Sequence, residues 1–165
     1  MLTMQDNRGN VVVEVFDDRY DKQMRHVSTH LRASDFDEVF AATGDSPHIE
    51  VADSWELSSR RFMIFNKRAQ PVAVLGVRPL EAFSRIGIIW LLGTDGLGNM
   101  KKFFLRISKP IIKYLMDGYD VVFNYVDNRY LGALRWMEWC GFTVHAPEPF
   151  GALKLPFNQC TMERV

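Results

Sequence analysis

Cysteine is scarce: Cys140 and Cys160 are the only two in 165 residues. Their separation suits neither a metal cage nor a disulfide framework, so a reducing compartment is the simplest setting and no metal site is expected. Excess charge is also lacking, since 20 Lys and Arg balance 20 Asp and Glu. Bulk charge therefore gives no reason to expect a nucleic-acid partner, although a local basic patch is compatible with it. Long apolar runs are missing too. The longest, residues 86–92, is far too short to cross a membrane. The first ten residues are polar and lack the basic-then-apolar order of a secretory leader. No repeat, linker or low-complexity tract divides the chain, so a single cytosolic domain over residues 1–165 is expected.

What remains is an ordinary globular composition, 47% hydrophobic and 13% aromatic. Residues 11–16 are β-branched and follow an Arg8-Gly9-Asn10 turn, which predicts a strand. Residues 20–31 read as a helix. Ser34, Asp35 and Glu38 resemble a helix start, with Phe36, Val39 and Phe40 as its apolar face and Gly44 as its end. Residues 47–57 give a further helix. The period then changes to that of strands: 62–65 and 71–77 form a hairpin across the polar turn 66–70, and 86–92 is continuous enough to be buried on both faces. A long amphipathic helix follows from Met100 to Leu115, with Lys101, Lys102, Arg106, Lys109 and Lys113 opposite its apolar side. Pro110 should kink it. Residues 121–126 predict a strand, 130–140 a helix capped by Gly141, and 142–145 and 160–163 closing strands. Alternation of this kind predicts an α/β (α+β) domain with a mixed central sheet flanked by helices.

The segment that carries chemistry is Gly93-Thr94-Asp95-Gly96-Leu97-Gly98, set between a buried strand and a helix. A strand, a glycine turn and a helix N-terminus direct backbone N–H groups to one point, which suits a phosphate. Gly96 and Gly98 permit close approach, and Lys101 or Lys102 would add charge at the rim. The plainer reading is a chain reversal. Trp90, Trp136 and Trp139 fit core positions at strand and helix spacing, and Cys140 fits a small buried hydrophobe.

Residues 31–142 resemble the GNAT superfamily of N-acetyltransferases, whose signature is Gln or Arg, two residues, Gly, one residue, then Gly or Ala. Gly96 and Gly98 match both glycines, while Gly93 stands at the leading position. The run from Ala133 to Gly141-Phe142 resembles that superfamily's last helix. A narrower set is similar to an acyltransferase-like family of tailed bacteriophages that includes internal virion protein A. It comprises Leu31-Arg32-Ala33-Ser34-Asp35, Pro71-Val72-Ala73, Gly76-Val77, Trp90-Leu91-Leu92-Gly93-Thr94, Asn124-Tyr125-Val126-Asp127, Arg135-Trp136 and Pro147-Glu148-Pro149.

The resemblance implies a GNAT-like fold and a phage or prophage protein of the host cytoplasm or virion. It implies acetyl-CoA as cofactor and, as acceptor, an amine on a small molecule or on a host protein. A homodimer is compatible with it. Leu91, Leu92, Gly93, Thr94, Gly96, Leu97, Gly98, Asn99 and Asn128 are the implied cofactor contacts. Amine acetylation needs a base, oxyanion donors and, usefully, an acid for the departing thiolate. The superfamily's tyrosine acid falls on Met137, which has no proton to give, so Tyr130 is the candidate acid. Asp127 is the candidate base. His145, Glu81 and Glu56 are weaker ones, and Asp127 can equally begin the next helix. The alternative to an enzyme is a non-catalytic phage protein in virion assembly or host takeover, with an occluded cofactor groove.

Overall fold

The computed structural model describes residues 2–165. Its elements run β1 (Thr3–Gln5), β2 (Val11–Glu14), α1 (Asp21–Thr29), α2 (Ala33–Thr43), α3 (Pro47–Leu57), β3 (Arg60–Phe65), β4 (Pro71–Pro79), β5 (Ile86–Gly93), a 3-10 turn (Asp95–Met100) and α4 (Lys101–Leu115). There follow β6 (Val121–Asp127), α5 (Leu131–Cys140), β7 (Thr143–Val144), β8 (Glu148–Phe150) and β9 (Leu155–Glu163). The nine strands form one sheet in the order β1-β2-β3-β4-β5-β6-β9-β7, with β8 hydrogen-bonded to β9. Every pairing is antiparallel except β5 with β6, whose connection crosses over through α4. The expected mixed sheet with flanking helices is what forms.

Strand alternation divides the apolar residues between the two faces. Phe62 and Ile64 of β3, Leu75 and Val77 of β4 and Ile89 of β5 join α4 and α5 in one core. Met63, Phe65, Val74, Trp90 and Leu92 pack with Met24, Val27, Val51 and Trp55 of α1–α3 in a second core. The continuous run of β5 thus serves both cores, though Ile86 at its start is exposed.

Four local expectations change. The polar N-terminus supplies β1, tied down where the Leu2 N–H donates to Glu14 and the Tyr114 hydroxyl donates to the same carboxylate. The helix from Lys101 continues through Pro110 to Leu115. Proline there forfeits about 3 kcal/mol, whereas Ile107, Ile111 and Leu115 are all fully buried on the opposite side, each contributing about 2 kcal/mol. Phe36 and Phe40 of α2 are exposed, and Val39 and Ala41 are the residues that face the core. The last strand starts at Leu155 rather than at residue 160, because its one proline, Pro156, lies in the pairing with β8 and outside the β6 ladder. Gly44 and Gly141 close α2 and α5 in the left-handed conformation, as expected.

Candidate functional site

The parallel pairing of β5 with β6 covers only Ile86–Ile88 against Val121–Phe123. Beyond it the strands diverge, and the Asn124 amide donates to the Ile89 carbonyl at 2.6 Å across the apex of the fork. Ile89, Leu91 and Gly93 share one parity along β5, so the Leu91 N–H and carbonyl point into the gap. A cavity of about 550 Å³ opens there. Its apolar wall comes from Leu75, Ile89, Phe104, Ile107, Ile111 and Val126, and its polar end from Arg32, Asp35, Glu38, Arg129 and Tyr130.

Asp35 and Glu38 are adjacent on one side of α2 because residues i and i+3 share a helix face. The Glu38 carboxylate accepts the Asp127 N–H at 3.1 Å. Glu38 is half-buried and lines the cavity. Burial is the main cause that pushes its carboxyl up to about 8, and the neighbouring Asp35 and Asp127 charges add to it. The Asp127 N–H and Arg32 act in the opposite sense. Asp35 is raised as well, first by burial, against the pull of Arg32 and the Gly93 N–H. Arg32 Nε lies 2.9 Å from Asp35 Oδ2 without a directed hydrogen bond, so this contact is an ion pair.

The glycine turn spends part of its backbone donors within the chain. The Gly93 N–H donates to Asp35 at 2.8 Å and the Gly96 N–H to the Thr94 hydroxyl at 3.2 Å. The Thr94 N–H donates to the Val72 carbonyl and the Leu97 N–H to the Thr94 carbonyl. These four donors are committed within the chain. Leu92 and Leu97 are core residues, and Gly98 and Asn99 line a separate cleft beyond the start of α4. Asn128 is exposed, its N–H bound to the Pro156 carbonyl. Of the nine expected cofactor contacts, only Leu91 lines the cavity.

Tyr130 lies at the cavity's polar end, its hydroxyl held above the usual phenol range mainly by burial. Asp127 is fully buried, and Arg129 grips both of its carboxylate oxygens, the closest contact being 2.7 Å. That carboxylate also accepts the Arg129 N–H, so it caps the turn into α5 and is not presented to the cavity. Met137, at the expected tyrosine position, is buried in the cavity wall. His145 is exposed and bonded to Thr161. Both thiols are buried and pushed up to about 11, which leaves them unreactive near neutrality. Phe104 stacks on Trp136 with ring centroids 5.2 Å apart, and the Trp136 indole donates to Ser108, bridging α4 to α5 beside the cavity.

Asp35 and Glu38 were legible in the sequence as a helix start, whereas no side chain of α2 caps that helix. Their i, i+3 spacing was the available signal, and nothing local placed it against a strand 58 residues away.

A mixed sheet forked between two parallel neighbours, with a helical crossover and helices on both faces, is the fold of the GNAT N-acetyltransferases. Solved structures of that class superimpose on almost the whole chain. The acetyltransferase of the GNAT family from Bacillus anthracis is 12% identical with a TM-score of 0.67, covering 98% of each chain. The ribosomal-protein-S5-alanine acetyltransferase of Vibrio fischeri is 9% identical with a TM-score of 0.68, covering 99% of this chain and 97% of its own. A Bacillus subtilis acetyltransferase in complex with CoA is 12% identical with a TM-score of 0.61, covering 93% and 98%. No protein-family model and no curated protein sequence matches the chain. Among the described residues no helix is long and apolar enough to cross a membrane, and no cluster of side chains suits a metal ion.

Proposed function

We propose that the protein transfers an acetyl group from acetyl-CoA to an amine, with the thioester arm in the fork between β5 and β6. The observation that carries this reading is a cavity of about 550 Å³ at that fork with the Glu38 carboxyl, raised to about 8, at its polar end. Its apolar wall and unpaired strand edge fit a pantetheine arm, which is apolar along its length with amides that hydrogen-bond to backbone. Glu38 takes the proton from the attacking amine as the new N–C bond forms. The Leu91 N–H faces the oxygen on which charge develops. As the C–S bond breaks, the thiolate receives a proton from Tyr130, which is protonated at neutral pH. Asp127 and Arg129 position this end of the cavity.

The motif likeness to the tailed-phage proteins supports a phage or prophage setting, and the acceptor is an amine small enough, or on a chain flexible enough, to reach Glu38. A second reading is favoured by two observations, the internally committed donors of the glycine turn and the Phe104–Trp136 bridge. It holds that the fold is retained without catalysis, for virion assembly or host takeover. Calorimetric titration with acetyl-CoA, with coenzyme A alongside, separates the two. Saturable micromolar binding, with thiol release on adding amines, supports transfer. Absence of heat and of thermal stabilisation at millimolar ligand supports the second reading.

A further inference from the structure

We propose that the solvent face of α4, together with Trp139 of α5, is a binding track for single-stranded nucleic acid. The inference is independent of the acetyl-transfer reading. The chain is neutral overall, but its charge is segregated. Residues 17–57, which hold α1–α3, contain ten acidic and four basic residues, a balance of −6. On the other face of the sheet, α4 carries five cations and no acid. Four of them, Lys102, Arg106, Lys109 and Lys113, are spaced by 4, 3 and 4 residues, which aligns them in one stripe along the helix. All four are exposed, and none has an ion-pair partner among the described residues. The stripe extends about 16 Å.

At its N-terminal end the stripe runs into a cleft of about 400 Å³ where Arg8 joins Lys101, Lys102 and Arg106. Asp6 is the acid of that cleft, and its carboxylate is occupied by Asn10 and the Arg8 N–H. Along the flank, Trp139 is 45% exposed, and the Lys109 ammonium sits 4.3 Å from its ring centroid. Arg135 lies one turn before it on the same face of α5, with Glu138 the acid beside them. A row of cations beside an exposed aromatic ring is the chemistry that follows a phosphate backbone and stacks a base. An anionic membrane is the less suitable partner. The apolar side of α4 is consumed in the core, so the helix has no face left to insert.

The test is fluorescence anisotropy of a labelled 20-nucleotide single strand with the full chain, at 50 and 200 mM salt. Four neutralised phosphates give a log–log salt slope of about −3, so affinity should fall roughly fifty-fold over that range. The triple variant Arg106→Gln, Lys109→Gln, Lys113→Gln replaces only exposed side chains and should flatten the fall to about threefold. Trp139→Ala should weaken binding about tenfold with the slope unchanged. Absence of binding at 50 mM salt, or binding unchanged in the triple variant, overturns the proposal. So does preference for duplex, or binding to phosphatidylserine vesicles without binding to the strand. Displacement of the strand by acetyl-CoA would assign the stripe to the cofactor's phosphates and would overturn it as well. Failure here leaves the calorimetric test at the fork untouched.

Discussion

Replacing Glu38 by glutamine should stabilise the protein at alkaline pH and, on the proposed mechanism, abolish acetyl transfer. The carboxyl has a folded value of about 8 against an ordinary 4.5. Below pH 4.5 it is protonated in both folded and unfolded chains and costs nothing. Between the two values the unfolded chain ionises first, so the group subtracts about 1.4 kcal/mol of stability per pH unit. Above about 8 the loss levels off. From pH 5 to pH 8 the sum is about 3 kcal/mol, a large share of the 5–15 kcal/mol typical of a domain. Glutamine remains neutral throughout, and its amide oxygen can still accept the Asp127 N–H. Urea unfolding of both proteins at pH 5, 6.5 and 8 isolates the contribution, because every other titrating group is common to the pair. The difference between variant and wild type should grow with pH by about 3 kcal/mol. A difference flat to within about 0.5 kcal/mol would refute the claim that this carboxyl is held neutral by its surroundings.

On the proposed mechanism the same group sets the pH dependence of acetyl transfer. With an aromatic amine that is neutral from pH 6 upward, kcat/KM should rise about tenfold per pH unit and level off near 8. A flat profile over that range would remove Glu38 from the role of base. Phe104→Ala breaks the stack between α4 and α5 and should cost about 2 kcal/mol in urea unfolding while tightening coenzyme A binding several-fold. Weaker coenzyme A binding would mean that the ring is a contact and not an obstruction. Glu14→Ala leaves the half-buried Tyr114 hydroxyl and the Leu2 N–H without their acceptor and should cost about 1–2 kcal/mol, partly recovered by Glu14→Gln. An unchanged urea midpoint in Glu14→Ala would show that β1 is not held through that carboxylate.

The fold was largely legible because each element carries its own period. The run at 86–92, the alternation in 62–65 and the stripe from Met100 to Leu115 each state their structure locally, and Gly44 and Gly141 mark their ends. What escaped was set by distant partners. Thr3–Gln5 is polar and becomes a strand because β2 offers an open edge and Glu14 an acceptor. Pro110 stays helical because three buried side chains outweigh one missing backbone bond. At the site the glycines drew attention to backbone donors that Asp35, Thr94 and Val72 had already claimed. Glu38 has no motif of its own, since only the fold brings β6 against α2 and sets its carboxyl at the cavity between them.

The fork has a mechanical consequence. The core beneath α1–α3 contains no residue from β6–β9, and on that side the C-terminal strands meet α2 through hydrogen bonds and the close fit of Gly151 against the Ala42 backbone. The hydrogen bonds are the Asp127 N–H on Glu38 and the backbone bonds from Ala152 and Leu153 to the end of α2. On the other side the core runs uninterrupted beneath the fork. Opening should therefore be asymmetric, a hinge about the α4–α5 side that swings β6–β9 away from α2. The amide hydrogens of Asp127, Ala152 and Leu153, which bridge this unit to α2, should exchange through this partial opening, whereas those of β3 and β4 await global unfolding. A partner or acceptor that wedges between α2 and β8 would work against three hydrogen bonds and the Gly151–Ala42 contact, without opening the core beneath α1–α3.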